Sequence, residues 1–164
     1  MPVYRTFDQQ TLDREYAPRA TVTTEAFETA LKRYTELSTH ARATLPCRLD
    51  VPYGAHPDSL VDIFPAGRSA PVLVFVHGGY WRMLSQKESA FMAPAFVNRG
   101  VAVVTVNYSL APKASLDEIV RQCRAALAWT YRRAPDFGAD PERIVIAGSS
   151  AGGHLVGMLL SDGW

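Results

Sequence analysis

The sequence predicts an α/β fold: an antiparallel hairpin, then three parallel strands with flanking helices, in a three-layer αβα sandwich. Three observations carry this. Val72-Leu73-Val74-Phe75-Val76 and Val101-Ala102-Val103-Val104-Thr105-Val106 are continuous apolar runs, the pattern of strands covered on both faces. Two capping-box signatures, Ser85…Glu88 and Ser115…Glu118, each follow one of these runs and open a helical stretch. Finally, Arg143-Ile144-Val145-Ile146-Ala147 runs into Gly148-Ser149-Ser150-Ala151-Gly152, and an apolar stretch, His154 to Leu160, leads out. That is strand, tight turn, helix.

Each element has its own signal. Residues 1–22 are polar and irregular, and read as an arm around the body. Thr23 or Thr24 caps a helix whose Phe27, Leu31, Tyr34 and Leu37 form one apolar stripe. Cys47 to Tyr53 alternates as a strand, residues 54–58 are turn chemistry, and Leu60 to Phe64 is the returning strand of a hairpin. A helix is expected over about 86–98, kinked or split at Pro94 and stopped at Arg99-Gly100. The next helix, 116–133, carries Leu116, Ile119, Val120, Cys123, Leu127 and Thr130 on one face, and Pro135 and Gly138 end it. The expected organisation is an N-terminal arm and helix over 1–44 and the α/β domain over 45–164.

Composition narrows the function. The chain has 164 residues and a formal net charge of +1, with Lys and Arg scattered. No basic stripe points to nucleic acid, and no polybasic patch points to a membrane. No apolar run reaches the length of a membrane span, and the first residues show no signal region. Cys47 and Cys123 have neither CxxC nor zinc spacing; two reduced thiols in a cytoplasmic protein are expected. No metal or organic cofactor is implied, and the motifs at 77–81 and 148–152 make a small-molecule substrate the expected partner.

Gly148-Ser149-Ser150-Ala151-Gly152 is G-x-S-x-G, the pattern of a nucleophile elbow. Gly148 and Gly152 let the backbone turn sharply, so Ser150 can stand exposed above the sheet as a nucleophile. His77-Gly78-Gly79-Tyr80-Trp81 directly follows the apolar run at 72–76. Two glycines at a strand end free backbone N–H groups to face a developing oxyanion, and the residue after the nucleophile, Ala151, supplies another. Tyr80 and Trp81 could line an aryl or acyl pocket; for Trp81 the plainer expectation is a packed plug beneath the loop.

Together these two motifs resemble the α/β-hydrolase fold, and within it the HGG-bearing esterases and the kynurenine formamidase (arylformamidase)-like group, which carries HGGxW. Asn107-Tyr108-Ser109-Leu110-Ala111-Pro112 resembles the segment after the fourth strand of these enzymes. Leu12-Asp13-Arg14-Glu15-Tyr16 and Leu45-Pro46-Cys47-Arg48-Leu49-Asp50 also resemble the formamidase-like group. The resemblance implies oxyanion donors at Gly79, Tyr80 and Ala151 with Gly78 supporting the turn, and structural roles for His77 and His154. It implies hydrolysis of N-formylkynurenine or, as the alternative, of small aryl or alkyl esters.

The resemblance also implies an acid and a histidine after the serine, which here would fall beyond Trp164. The chain is therefore expected to be an incomplete hydrolase domain, near inert alone, or a non-enzymatic piece that needs a partner. His40 and His56 read as surface residues. Asp117 and Glu118 read as capping residues, and Asp162 lies in an unanchored final turn. The strand at 143–147 is expected to carry a bare edge with Val145 exposed, prone to self-association, and Leu155, Met158 and Leu159 are expected to be partly uncovered.

Overall fold

The computed structural model describes residues 2–161. The elements run α1 (Gln9–Glu15), a 3-10 turn (Pro18–Thr21), α2 (Thr24–Thr44), β1 (Arg48–Pro52), β2 (Leu60–Phe64), β3 (Ala70–Val76) and a 3-10 turn (Gln86–Ser89). They continue with α3 (Ala93–Val97), β4 (Ala102–Val106), α4 (Leu116–Arg133), a 3-10 turn (Ala134–Phe137), β5 (Ala139–Gly148) and α5 (Ala151–Leu160). Two compact units divide within α2: Met1–Arg33 and Tyr34–Trp164. In the first unit, Asp8 caps α1 by accepting from the Thr11 amide at 2.8 Å, and Thr23 Oγ1 caps α2 by accepting from Ala26 N. The expectation of an irregular first 22 residues is corrected by α1. That short helix buries none of its residues, so it shows no apolar stripe in the sequence.

The second unit is built on one five-stranded sheet of order β1-β2-β4-β3-β5. β1–β2 and β2–β4 are antiparallel, whereas β3 lies parallel to both β4 and β5. The expected hairpin and three parallel strands are thus present, and the hairpin joins through β4. The pleat sorts side chains between two cores. Val61, Ile63, Val72, Val74, Val104 and Val106 face one way, with Ala126 of α4 in the same cluster. Val76 continues that face among Ile119, Cys123, Leu155 and Leu159 of α4 and α5. Phe64, Leu73 and Val103 face the other way, against Ala41 of α2 and Ala93 of α3.

Asp62 shares this second face and is fully buried, in an ion pair with Arg42 Nε at 2.9 Å. Burial raises its pKa, with the Asp50 amide and Arg42 acting against the rise. The pair fixes where α2 crosses the hairpin, because a lone carboxylate there would be costly.

The expected helix over 86–98 is two short pieces, split before Pro94, which sits in the first turn of α3. Ser115 caps α4 as predicted, accepting from Glu118 N at 3.2 Å, but the Glu118 carboxylate turns to Arg121 and Gln122 instead of back to the cap. Leu116 is exposed and Gln122 takes a buried place on α4, against the expected stripe. β5 starts at Ala139, four residues earlier than its apolar run suggests, because Gly138 adopts φ +78° and feeds the chain straight into the strand. Val145 is 62% exposed, as expected of an edge. Met158 is partly uncovered as expected, whereas Leu155 and Leu159 are buried against α4, and Leu160 is the exposed large apolar side chain of α5 at 71%. Asp162 and Trp164 lie outside the described residues.

Candidate active site

β3 and β5 end side by side, with Val76 paired to Gly148, so the segments 77–81 and 148–152 leave the sheet together. This is the carboxyl-end crevice where parallel sheets bind ligands. The approach is backbone against backbone. A Cβ on Gly152 would meet the carbonyl oxygens of Val76 and His77, and one on Gly148 would meet the Gly152 carbonyl. Gly78 sits where a Cβ would lie 2.6 Å from the Ser149 carbonyl and 3.3 Å from Ser150 Cβ. Loop and turn therefore touch through two positions that tolerate no side chain, Gly78 and Gly152, while Gly148 closes the turn on itself.

Ser150 holds φ +52° and ψ −115°, a conformation costing about 1–3 kcal/mol for a residue with a Cβ. It is exposed and makes no capping hydrogen bond, so the hydroxyl is free to face a ligand. The turn is tied by Gly152 N donating to Ser149 O at 2.8 Å and Ser149 N donating to Val76 O at 3.3 Å.

The loop after β3 is a left-handed run: Gly79, Tyr80 and Trp81 all have positive φ. Gly79 O accepts from Arg82 and Met83, which turns the carbonyl inward. Among the described residues the amides of Gly79, Tyr80 and Ala151 donate to no backbone carbonyl. Amides with no backbone acceptor, carried on the two segments that leave the sheet together, are groups that can donate to a ligand.

His77 is buried, and its ring stacks on Tyr108 at 4.1 Å, with Nδ1–H donating to Gly78 O at 2.8 Å. Burial pushes its pKa down to about 4, the Gly78 carbonyl opposing. The ring is thus neutral at pH 7 and committed to the loop. His154 is exposed; its amide donates to Ser150 O, and its ring lies edge-on to Trp81 at 5.2 Å. Trp81 is half-buried against the α4–α5 core, with its Nε1 unpaired, so it packs as the expected plug while Tyr80 stands exposed. Cys47 and Cys123 are free thiols, and burial pushes Cys123 up to about 12, which leaves it unreactive.

A serine, a histidine and an aspartate do meet in this chain, but at Ser109 and not at Ser150. Ser109 Oγ donates to Asp58 Oδ2 at 2.9 Å and lies 3.3 Å from His56 Nδ1. Among the described residues no group of three or more His, Cys, Asp or Glu side chains is placed to hold a metal ion, and no helix is long and apolar enough to cross a membrane. The sequence reading missed the Ser109 cluster; its one signal is Gln122, a polar residue next to Cys123 on the buried side of α4.

Comparison with known proteins agrees with this architecture. Residues 62–161 match the BD-FAE family. The chain is 33% identical to kynurenine formamidase of Salmo salar over its whole length, covering 57% of that protein. It is 34% identical to esterase LipQ of Mycobacterium tuberculosis over 66% of this chain and 28% of that one. Among solved structures, a candidate thioesterase from a Silicibacter species superposes with a TM-score of 0.78 and 32% identity, over 91% of this chain and 55% of that one. The chain thus spans a little over half the length of the curated relatives it matches from end to end. With G-x-S-x-G at the end of β5 and HGGxW at the end of β3, the chain belongs to the BD-FAE family, as a kynurenine formamidase- and esterase-like α/β-hydrolase.

Proposed function

We propose that Ser150 is the nucleophile of a serine hydrolase that cleaves a formamide or small ester. Its Oγ attacks the carbonyl carbon. The oxyanion so formed is held by the amides of Gly79, Tyr80 and Ala151; the amine or alcohol leaves, and water releases the acyl or formyl group. The single observation that supports this is the close approach of the loop at Gly78 to the turn at Ser149 and Ser150, where even a Cβ on Gly78 would not fit. N-formylkynurenine is the first substrate proposed, on the likeness to kynurenine formamidases and on the exposed aromatic ring of Tyr80, in the loop beside the elbow. A small carboxylic ester is the second, favoured by the esterase relatives.

The reaction also needs an imidazole on Ser150 Oγ. His77 and His154 are engaged with Gly78 and Trp81, so the base is proposed to come from polypeptide added at the free edge of β5. A hole without its base leaves about 10³–10⁴-fold over water, so the 164-residue chain alone is proposed to be near inert. The same edge is proposed to drive self-association when nothing covers it. The test is fluorophosphonate labelling and hydrolysis of an aryl formamide and of p-nitrophenyl acetate. It compares the chain alone with the chain extended by the C-terminal part of a formamidase relative. Labelling of Ser150 only in the extended form is expected. Full labelling of the chain alone would overturn the base assignment, and no labelling in either form would overturn the function.

A further inference from the structure

We infer that Asp58, Ser109 and Gln122 form a positioning site for the loop that carries the Gly79 and Tyr80 amides; the inference rests on reading those amides as the oxyanion donors. The cluster joins three separate parts of the second unit: the turn between β1 and β2, the segment after β4, and α4. Ser109 is 3% exposed and Gln122 is 1% exposed, so every polar atom left unpaired there would be costly. Ser109 N donates to Gln122 Oε1 at 2.8 Å, and Gln122 Nε2 donates back to Ser109 Oγ at 3.0 Å. Ser109 Oγ then donates to Asp58 Oδ2 at 2.9 Å. Asn107, two residues earlier, donates through Nδ2 to Asp58 O at 2.9 Å and accepts from Tyr53 OH at 2.8 Å.

The wiring excludes a second catalytic serine. The hydroxyl proton of Ser109 goes to the carboxylate and not to the imidazole. His56 Nδ1 already accepts from the Asp58 amide at 3.1 Å. Its single proton is committed to Asp58 and one lone pair of Ser109 Oγ to Gln122, so the buried hydroxyl has no proton to pass to a base.

The residues between these anchors hold the oxyanion loop. Tyr108 OH donates to His77 O at 2.9 Å, and its ring stacks on His77. Ala111 N donates to Trp81 O at 2.8 Å. Asn107 and Ser109 are thus pinned to the hairpin turn and α4, while Tyr108 and Ala111 grip the two ends of the loop. The loop needs this support because three successive residues sit at positive φ with no strand or helix to hold them. Donors of an oxyanion hole must hold their place to about 0.5 Å to be useful. Loss of the Ser109 bonds frees the segment, and through Tyr108 and Ala111 it loosens the donors.

The test uses the 164-residue chain and needs no catalysis, so a failed hydrolase reading leaves it intact. Amide exchange and amide resonances of residues 78–81 are measured in Ser109→Ala, Asp58→Ala, Asp58→Asn and Thr130→Val. Thr130 is the control, since its hydroxyl donates within α4, to Ala126 O. Ser109→Ala and Asp58→Ala are expected to shift the Gly79 and Tyr80 resonances and speed their exchange about tenfold. Asp58→Asn keeps an oxygen for Ser109 and is expected to restore the wild-type signals, and Thr130→Val to leave them alone. If Ser109→Ala does not fold, the half-exposed turn variant Asp58→Ala decides the matter. Changes confined to residues 107–111 and α4, with 78–81 unmoved, would overturn the inference, as would equal effects of Asp58→Asn and Asp58→Ala.

Discussion

Ser109 and Ser150 lie in opposite surroundings. Ser109 has an aspartate, a histidine and a glutamine around it, is buried, and has its hydroxyl proton committed to Asp58. Ser150 stands exposed at a strained φ, beside amides with free N–H groups. The first holds the residue names of a triad and is structural by its wiring. The second lacks those neighbours but has access and a fixed direction, which is what the proposed nucleophile needs. Proximity of serine, histidine and aspartate is therefore a poor guide to chemistry unless the direction of each proton is followed.

The strongest way to break this contrast is to remove each hydroxyl. In the chain extended by a relative's C-terminal part, Ser150→Ala is expected to lower aryl-formamide hydrolysis by at least about 10³-fold. Ser109→Ala is expected to lower it about tenfold, and His154→Ala by less than that, since its ring only flanks Trp81. Steady-state kinetics decide; equal losses at positions 109 and 150, or at 150 and 154, would undo the assignment.

Next in size is Gly152→Ala. The new methyl would meet two backbone carbonyls, of Val76 and His77, neither of which can move without parting β3 from the turn. A loss of about 3 kcal/mol or more is expected, at the upper end of overpacking costs. Gly157→Ala on the same helix meets nothing within 4 Å and should be neutral or slightly stabilising. Thermal melts of the two variants separate a steric elbow from a merely flexible one.

A pH titration sharpens the role of His77. Its folded pKa, about 4, is below the ordinary value of 6.5. The unfolded chain therefore takes up the proton first, and stability is intact above pH 6.5 and falls as the pH drops toward 4. The loss from this group is about 3 kcal/mol by pH 4, at 1.36 kcal/mol for each pH unit. Denaturant melts between pH 7 and pH 4 check this, and His77→Gln should flatten that part of the profile. An unchanged slope in the variant would place the acid sensitivity elsewhere.

The smallest effect on folding is expected at Val145→Lys. The side chain is largely exposed, so stability should change by less than about 0.5 kcal/mol. A charge on the free edge of β5 should still reduce self-association, read by sedimentation at micromolar protein. A monomeric wild type would remove the proposal that this edge pairs with another copy.

The strands were legible because burial on both faces writes unbroken apolar runs, as at 72–76 and 101–106. The elbow and the HGG loop were legible because close backbone approach demands glycine at fixed spacings, at 78, 148 and 152. Local chemistry of this kind determines where Ser150 sits on its strand and helix. Other features had no local signature. The early start of β5 needs the pairing of Ala139 with Ala70 as well as the turn at Gly138, and the burial of Leu155 and Leu159 is set by the position of α4. The cluster of Asp58, Ser109 and Gln122 joins residues far apart in sequence, each ordinary in its own neighbourhood: a turn aspartate, a loop serine, a helix glutamine. Only the order β1-β2-β4-β3-β5, which sets the hairpin beside β4, brings them together. Hydrogen bonds between distant segments depend on where the sheet places them, and no local pattern of residues encodes that placement.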